Sequence, residues 1–404
     1  MIELVLWAVS FLSLFLSIFW INVMYSKQKE RISAFSDYKI SFLVPALNEE
    51  KTIARTLQSL INADYPHKEI IVINDGSTDK TSEVVRRFKN VILLQNQHRG
   101  TGKASALNKG LAYATGQLIA VVDADSEIDK QALKKMVPYF KIKKIGAVIS
   151  TIKVKTTKNL YEKLQRIEYI LATFSRTLMS KIDTLHVTPG ALSMYKTKLI
   201  KKLGGFDEHN LTEDLEIAMR LRYYGYNIKI DPGAISYTNV PSTFKSLWKQ
   251  RVRWFRGFIY NTSKYRKMFM SKKHGIMGTF QIPLNFITLM AILVSVGIVT
   301  YGIIIQVYRW ILKSIALKTE LFNISLNIPS VKEVFLGVNI SYLFPVAIAL
   351  LLSIFILHKA HRNADEKWNI SIALLLYFTI YPMLRSLHWL TAFYKESLQT
   401  KRKW

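Results

Sequence analysis

Leu118-Ile-Ala-Val-Val-Asp-Ala-Asp-Ser126 is a short apolar run that ends in two carboxylates one residue apart. An apolar run of this length reads as a buried strand. Asp123 and Asp125 leave it two apart, so an extended backbone points both the same way. Adjacent carboxylates repel unless a cation lies near them, and their hard oxygens suit Mg²⁺ or Mn²⁺, which also take diphosphate oxygens. Asp and Ser are equally at home in an Asx-turn that opens a helix. On these nine residues alone the turn and the metal site both stand.

The chain around this stretch repeats its pattern. Apolar runs at residues 40–44, 69–73, 91–94, 118–122 and 147–149 are strand candidates. Amphipathic stretches at 50–61, 80–88, 104–114 and 130–140 lie between them as helix candidates, and 160–182 follows as a longer one. Strand–helix alternation predicts an α/β domain with a mostly parallel sheet. Ligands of such sheets bind outside the carboxyl ends of the strands, which is where Asp123 and Asp125 lie.

Composition adds a membrane. The 404 residues are 50% hydrophobic and carry a formal charge of +28, with a mean hydropathy of +0.14. Both are high for a soluble enzyme, and a water-soluble domain with membrane spans accounts for them. The charge calls for anionic partners. Membrane lipids are the simplest, and nucleic acid, which would explain the charge but not the spans, is not expected. The absence of cysteine excludes disulfides, thiol catalysis and Cys-ligated zinc.

Residues 2–25 are long and apolar enough to cross a bilayer, with no basic stretch before them and no small-residue cleavage pattern after, so an anchor is expected. Lys27, Lys29 and Arg31 then put the following domain in the cytoplasm. Residues 243–267, basic and aromatic, read as a helix lying at the interface. Segments 283–307 and 335–357 read as spans. Segment 370–390 contains Arg385 and His388 and reads as a span with a polar end or a re-entrant piece. Three spans after a cytoplasmic domain would leave the Lys- and Arg-rich C-terminus outside, against the positive-inside rule. The expected organisation is an anchor at 1–26, an α/β domain at 38–240, interfacial helices at 241–275 and a region of two or three spans at 276–404.

Other segments carry possible chemistry. Asn74-Asp75-Gly-Ser-Thr78-Asp79 follows a strand; it is a strong turn signal, and Asp75 would also lie near Asp123 if the two strands are neighbours. Pro45-Ala-Leu-Asn48-Glu49-Glu50 leaves the first strand, with Asn48 suited to cap a helix and the acids to its N-terminus. Arg99-Gly-Thr-Gly-Lys103-Ala fails as a phosphate loop, because Gln97 replaces the first glycine and Ala104 the hydroxyl residue; Lys103 alone can still meet a diphosphate. Leu211-Thr-Glu-Asp214 begins a helix, either as a cap with dipole-complementing acids or with Asp214 as a general base for a sugar hydroxyl. On a helix, Gln250, Arg253 and Trp254 share one face, which suits a cation for a departing diphosphate and a flat platform for a sugar ring, or a plain interfacial helix.

Taken together, Asp75, Asp123-Ala-Asp125, Thr212-Glu-Asp214 and Gln250-Arg-Val-Arg253-Trp254, in that order and among apolar segments, resemble the processive inverting membrane glycosyltransferases of family 2. The resemblance covers roughly residues 40–260. It implies a GT-A fold (a Rossmann-like mixed sheet), a UDP-sugar donor and Mg²⁺ or Mn²⁺. It implies that Asp125 holds the metal, that Asp75 and Asp123 contact uridine, and that Asn48, Glu49 and Lys103 lie on the nucleotide side. Asp214 would be the base, Gln250 and Arg253 would meet the diphosphate, and Trp254 and Gly190, in Pro189-Gly-Ala-Leu192, would meet the acceptor. Within the family, the Thr-Glu-Asp and Gln-Arg-x-Arg-Trp forms and the short chain look closest to poly-β-1,6-N-acetylglucosamine synthases. The donor is then UDP-GlcNAc, the product an extruded polysaccharide, and a small membrane accessory protein a possible partner. Cellulose- or hyaluronan-type synthesis and single-sugar transfer to a lipid acceptor are the alternatives. A non-catalytic export component is disfavoured by the intact carboxylates.

Overall fold

The computed structural model describes residues 2–26, 37–96, 102–316, 340–364 and 372–400. Lys27, Lys29, Arg31, residues 99–101, residues 335–339 and Ile370 lie outside that set. The chain divides into two compact units, Lys27–Pro283 with Asn363–Trp404, and Met1–Ser26 with Leu284–Arg362.

Among the described residues the first unit holds one eight-stranded sheet of order β3-β2-β1-β4-β7-β6-β8-β5. Its strands are β1 (Ile40–Ala46), β2 (Lys68–Asn74), β3 (Val91–Gln95), β4 (Leu118–Val121), β5 (Glu127–Ile128), β6 (Ile145–Val154), β7 (Ser193–Lys196) and β8 (Asn227–Thr238). β3, β2, β1 and β4 run parallel. β7 is antiparallel to β4 and β6, β6 and β8 are parallel, and β5 closes the edge antiparallel to β8. The helices, in chain order, are α1 (Ile2–Tyr25), α2 (Ile53–Ile61), α3 (Thr81–Arg86), α4 (Lys103–Tyr113), α5 (Ala132–Met136), α6 (Leu160–Lys181), α7 (Thr197–Lys202), α8 (Glu213–Tyr223), α9 (Phe244–Lys264), α10 (Ile282–Ala316), α11 (Ile340–Asn363), α12 (Ile372–Thr379) and α13 (Tyr381–Ser397).

Each strand expected from the sequence is present, and the sheet is mostly parallel as expected; β7 and β5 run against the other six strands and make it mixed. β8 escapes a sequence reading because Lys229, Asp231, Pro232 and Gly233 interrupt it. The structure absorbs them in a register shift, where Ser150 faces Asp231 and the next residue, Thr151, faces Ile235. Lys229 is buried against Asp183 at 3.1 Å.

Both faces of the parallel part are covered, which is why its strands read as continuous apolar runs. Ile40, Phe42 and Val44 of β1, Ile70 and Val72 of β2, and Leu118 and Ala120 of β4 pack with Ile53, Leu57 and Leu60 of α2 and with Leu133 and Met136 of α5. The alternate residues Leu43, Ile71, Ile73, Ile119 and Val121 pack with Ala106, Leu107 and Leu111 of α4 and Ile217, Ala218 and Leu221 of α8. Asp123 continues the parity of Ile119 and Val121. It therefore leaves the sheet on the face where α4 and α8 begin.

The segment around 370–390 is two helices, α12 and α13, that meet at Ile380, with Pro382 in the first turn of α13. α13 packs on α9, where Phe255 stacks on Trp389 at 4.1 Å and Trp248 meets His388 edge-on at 4.5 Å. Both α6 and α9 open with capping boxes, Asn159 with Glu162 and Thr243 with Ser246. In the second unit α1, α11 and most of α10 are long apolar helices with exposed Phe15, Ile303, Ile304, Leu350 and Leu351. Among the described residues, Trp7–Tyr25 is the helix that is long and apolar enough by itself to cross a membrane.

Candidate active site

The carboxyl ends of β1, β2 and β4 open into three loops, and each brings acids to the same edge of the sheet. The first two loops are sewn together. Asn48, in a left-handed conformation (φ 58°), accepts from the Thr78 amide at 2.9 Å and donates its own amide to Ser77 Oγ at 2.9 Å. The Glu49 amide donates to Thr81 Oγ1 at 2.8 Å. Asn48 therefore does not cap α2, which starts at Ile53, three residues later than its expected start at Glu50. Its side chain is used to hold the neighbouring loop.

Asp75 is buried, and its two oxygens accept from Asn96 Nδ2 at 2.7 Å and the Gly102 amide at 2.9 Å. Its strand is not adjacent to that of Asp123, because β1 lies between them. The two are linked instead through α4: Gly102 precedes Lys103, whose Nζ lies 2.6 Å from Asp123 Oδ1.

Lys103 is the junction of the site. The same Nζ lies 2.9 Å from Glu213 Oε1, at the first residue of α8. Burial pushes the Lys103 ammonium toward neutrality, but Asp123, Glu213 and Asp214 together hold it well above the usual lysine range. Gly190 closes this junction. Its carbonyl accepts from the Asp123 amide at 2.8 Å. A Cβ at Gly190 would fall 2.5 Å from both Asp123 oxygens and 2.6 Å from Lys103 Nζ, so any larger residue would push the Asp123 carboxylate and the Lys103 ammonium out of their present positions.

Asp214 follows Glu213 on α8. Burial first, and Glu213 second, push its carboxyl up to about 6, while Lys103 and Arg253 pull it down. A base of that pKa is ionised at neutral pH and still holds a proton well. The α8 start is fixed on two sides. Thr188 Oγ1 donates to the Asp214 carbonyl at 2.7 Å. The Thr212 hydroxyl, expected to cap the helix, makes no cap; it accepts from Asn261 of α9 at 3.2 Å. Arg253 of α9 donates to the Leu211 carbonyl at 3.1 Å, which keeps its guanidinium near Asp214. Gln250 and Trp254, half-buried on the same helix, both pack on Arg251.

Burial, then Asp123 and Glu49, push the Asp125 carboxyl up to about 7. Glu49 is raised as well, by burial against the pull of a Thr52 hydrogen bond, with Asp123 adding to it. The edge therefore carries surplus negative charge. Among the described residues no group of three His, Cys, Asp or Glu side chains is set to hold an ion unaided. This donor set fits Mg²⁺ or Mn²⁺, which takes one or two carboxylates and completes its shell with substrate phosphates and water.

The sequence-predicted residues divide accordingly. Lys103, Asp123, Gly190 and Asp214 converge, with Asp75 joined through Gly102 and with Glu49, Asp125 and Arg253 in electrostatic reach. The roles of Glu213 and Arg251 were not foreseen. Glu213 read as a helix-dipole acid and is the buried partner of Lys103; nothing local distinguishes the two uses. Arg251 pairs with Glu168, a residue far away in the chain with no motif of its own.

Comparison with known proteins bears on the domain that carries this site. Residues 41–204 match the family described as Glycosyl transferase family 2. The chain is 35% identical over 263 residues to poly-beta-1,6-N-acetyl-D-glucosamine synthase of Staphylococcus epidermidis, covering 61% of this chain and 64% of that protein. It is 36% identical over 249 residues to the probable glycosyltransferase YdaM of Bacillus subtilis, covering 58% and 59%. These matches span less than two thirds of the relatives' own length. Among solved structures, the mannosyltransferase PcManGT of Pyrobaculum calidifontis, in complex with GDP-Man and Mn²⁺, superposes with a TM-score of 0.64 at 18% identity, over 99% of this chain and 100% of that one. That likeness bears on the fold. Residues 41–204, with the mixed sheet and the carboxylates at its edge, thus match a family 2 glycosyl transferase domain and have a GT-A-like fold.

Proposed function

We propose that the chain moves N-acetylglucosamine from UDP-GlcNAc onto a growing polysaccharide, with inversion and with a divalent metal, and passes the product across the membrane. The observation that carries this reading is the Lys103 junction. One ammonium joins Asp123 at the sheet edge to Glu213, the neighbour of Asp214, so the donor side and the base side meet at a single atom. The poly-N-acetylglucosamine synthases among the relatives support the choice of sugar.

In this reading ionised Asp214 takes the proton of the acceptor hydroxyl as its oxygen forms the new bond to the anomeric carbon. The bond to UDP breaks on the opposite face, UDP keeps the electron pair, and the anomeric configuration inverts. Arg253 and Gln250 meet the charge that gathers on the diphosphate. Asp75, Asp123, Asn48 and Glu49 form the nucleoside side, Trp254 offers its ring to the acceptor sugar, and glycine at 190 leaves room where donor and acceptor meet. Asp125 would hold Mg²⁺ or Mn²⁺, which supplies further charge neutralisation for the departing diphosphate.

The membrane reading gains from α12 and α13. α12, with eight residues, is only about 12 Å long, against a hydrocarbon core of about 30 Å. With α13 packed on α9, α10 and α11 remain as the two crossings after the catalytic domain. The Lys- and Arg-rich C-terminus then returns to the cytoplasmic side, and the conflict with the positive-inside rule disappears. Membrane lipids surround α1, α10 and α11, and a small accessory membrane protein would complete the exit path.

Replacing Asp125 with Ala tests the donor centre. Calorimetric titration of UDP into the full-length protein should show binding that needs Mg²⁺ or Mn²⁺, and the variant should lose that metal-dependent part. UDP binding in Asp125→Ala that still responds fully to metal would place the centre elsewhere.

A further inference from the structure

Arg251 is fully buried in the middle of α9, between Gln250 and Trp254. A buried guanidinium is costly unless paired. Its Nη2 lies 2.6 Å from Glu168 Oε2 of α6 and 3.4 Å from Gln165 Oε1. Tyr381, at the start of α13, donates its hydroxyl to the same Glu168 oxygen at 2.8 Å. Three helices thus converge on one ion pair. Arg251 also meets two residues of its own helix: its Nη1 donates to Gln250 Oε1, and its guanidinium carbon lies 4.2 Å from the Trp254 ring centroid.

We infer that Arg251 is a positioning residue that orients Trp254 for the acceptor, and that Gln250, Glu168 and Tyr381 hold it in place. The planar fork is what the arrangement requires. One edge takes the carboxylate, another takes the amide oxygen, and the flat face lies against the indole. A lysine there keeps the charge for Glu168 but cannot do all three. Tyr381 makes α13 part of the same device, so the C-terminal helix fixes the platform from behind. This inference rests on the reading of Trp254 as the acceptor platform.

The test uses the full-length protein in lipid nanodiscs with UDP-GlcNAc, metal and a soluble N-acetylglucosamine oligomer as acceptor. Arg251→Lys and Tyr381→Phe are compared with wild type and with Trp254→Ala, with near-UV circular dichroism as the check on folding. Arg251→Lys should raise the acceptor KM about tenfold, the order expected on losing a desolvated cation–π contact. Tyr381→Phe should raise it less. Both should leave the donor KM within about twofold of wild type. If Trp254→Ala raises the acceptor KM but Arg251→Lys and Tyr381→Phe do not, or if these two alter donor KM and acceptor KM together, the positioning role is wrong. If Trp254→Ala leaves the acceptor KM unchanged, the acceptor reading itself falls, and the inference with it. Should Arg251→Lys fail to fold, Tyr381→Phe, which keeps the ion pair, decides alone.

Discussion

Asp214→Asn should lower kcat for sugar transfer by about 10²–10⁴-fold, the range that a positioned general base contributes. The amide keeps the volume and can still accept from the Leu215 amide that Asp214 Oδ1 accepts from now, at 2.8 Å. The α8 start, the Thr188 contact and the Lys103–Glu213 pair need not move. What is lost is the ability to take a proton. UDP binding should therefore stay near wild type, and the loss should appear in kcat rather than in donor KM. Steady-state kinetics and UDP titration on the same preparation check this. A variant that transfers sugar at more than a tenth of the wild-type rate would remove Asp214 from the role of base.

Lys103→Met should cost more than activity. Methionine fills the space and removes the ammonium that lies between Asp123 and Glu213. Glu213 is buried and would be left unpaired, which costs at most about 3–5 kcal/mol, while Asp123 is part-exposed and loses less. A clear fall in Tm is expected, together with loss of tight UDP binding. The pH dependence adds an independent sign. In the proposed role Asp214, whose carboxyl is pushed up to about 6, must be ionised to act, so wild-type kcat/KM should rise with pH through about 6 and level off above it. Lys103 is one of the groups that hold that value down. Without it the carboxyl is harder to ionise, so the acid limb should move to higher pH in whatever activity Lys103→Met retains. A limb that stays in place or moves to lower pH would show that Lys103 does not act on the base.

The parallel half of the sheet was legible because β1, β2 and β4 are buried on both faces and all four strands stand between clear turn signals. β1, β2, β3 and β4 each fall where an apolar run predicts them. β8 was hidden because a strand that carries Lys, Asp, Pro and Gly breaks each local rule, and only pairing with β6 rescues it. The residues of the site were legible as types at intervals: acids after strands, a lysine at a helix start, acids at another. Their partners were not. Burial of Lys103 between two acids that lie 90 residues apart in sequence, Asp123 and Glu213, is a property of the packed sheet. Arg251 shows the same limit from the other side. In the sequence it is one more cation on a basic helix; its pairing with Glu168 and Tyr381 exists only once α6, α9 and α13 have come together. The final apolar segment reads from composition as a span with a polar end or a re-entrant piece. Its hydropathy suits a span, yet the break at Ile380 and the rings that face α9 make it two helices of the catalytic unit.

The most direct measurement is of the product. Full-length protein in membranes, given radiolabelled UDP-GlcNAc and Mg²⁺ or Mn²⁺, should yield a labelled polymer that elutes in the void volume on size exclusion. A β-N-acetylhexosaminidase should degrade it, and Asp214→Asn membranes should not form it. Label that stays in a single-sugar lipid, or equal polymer from Asp214→Asn membranes, would contradict the assignment of this chain as a polysaccharide synthase with Asp214 as its base.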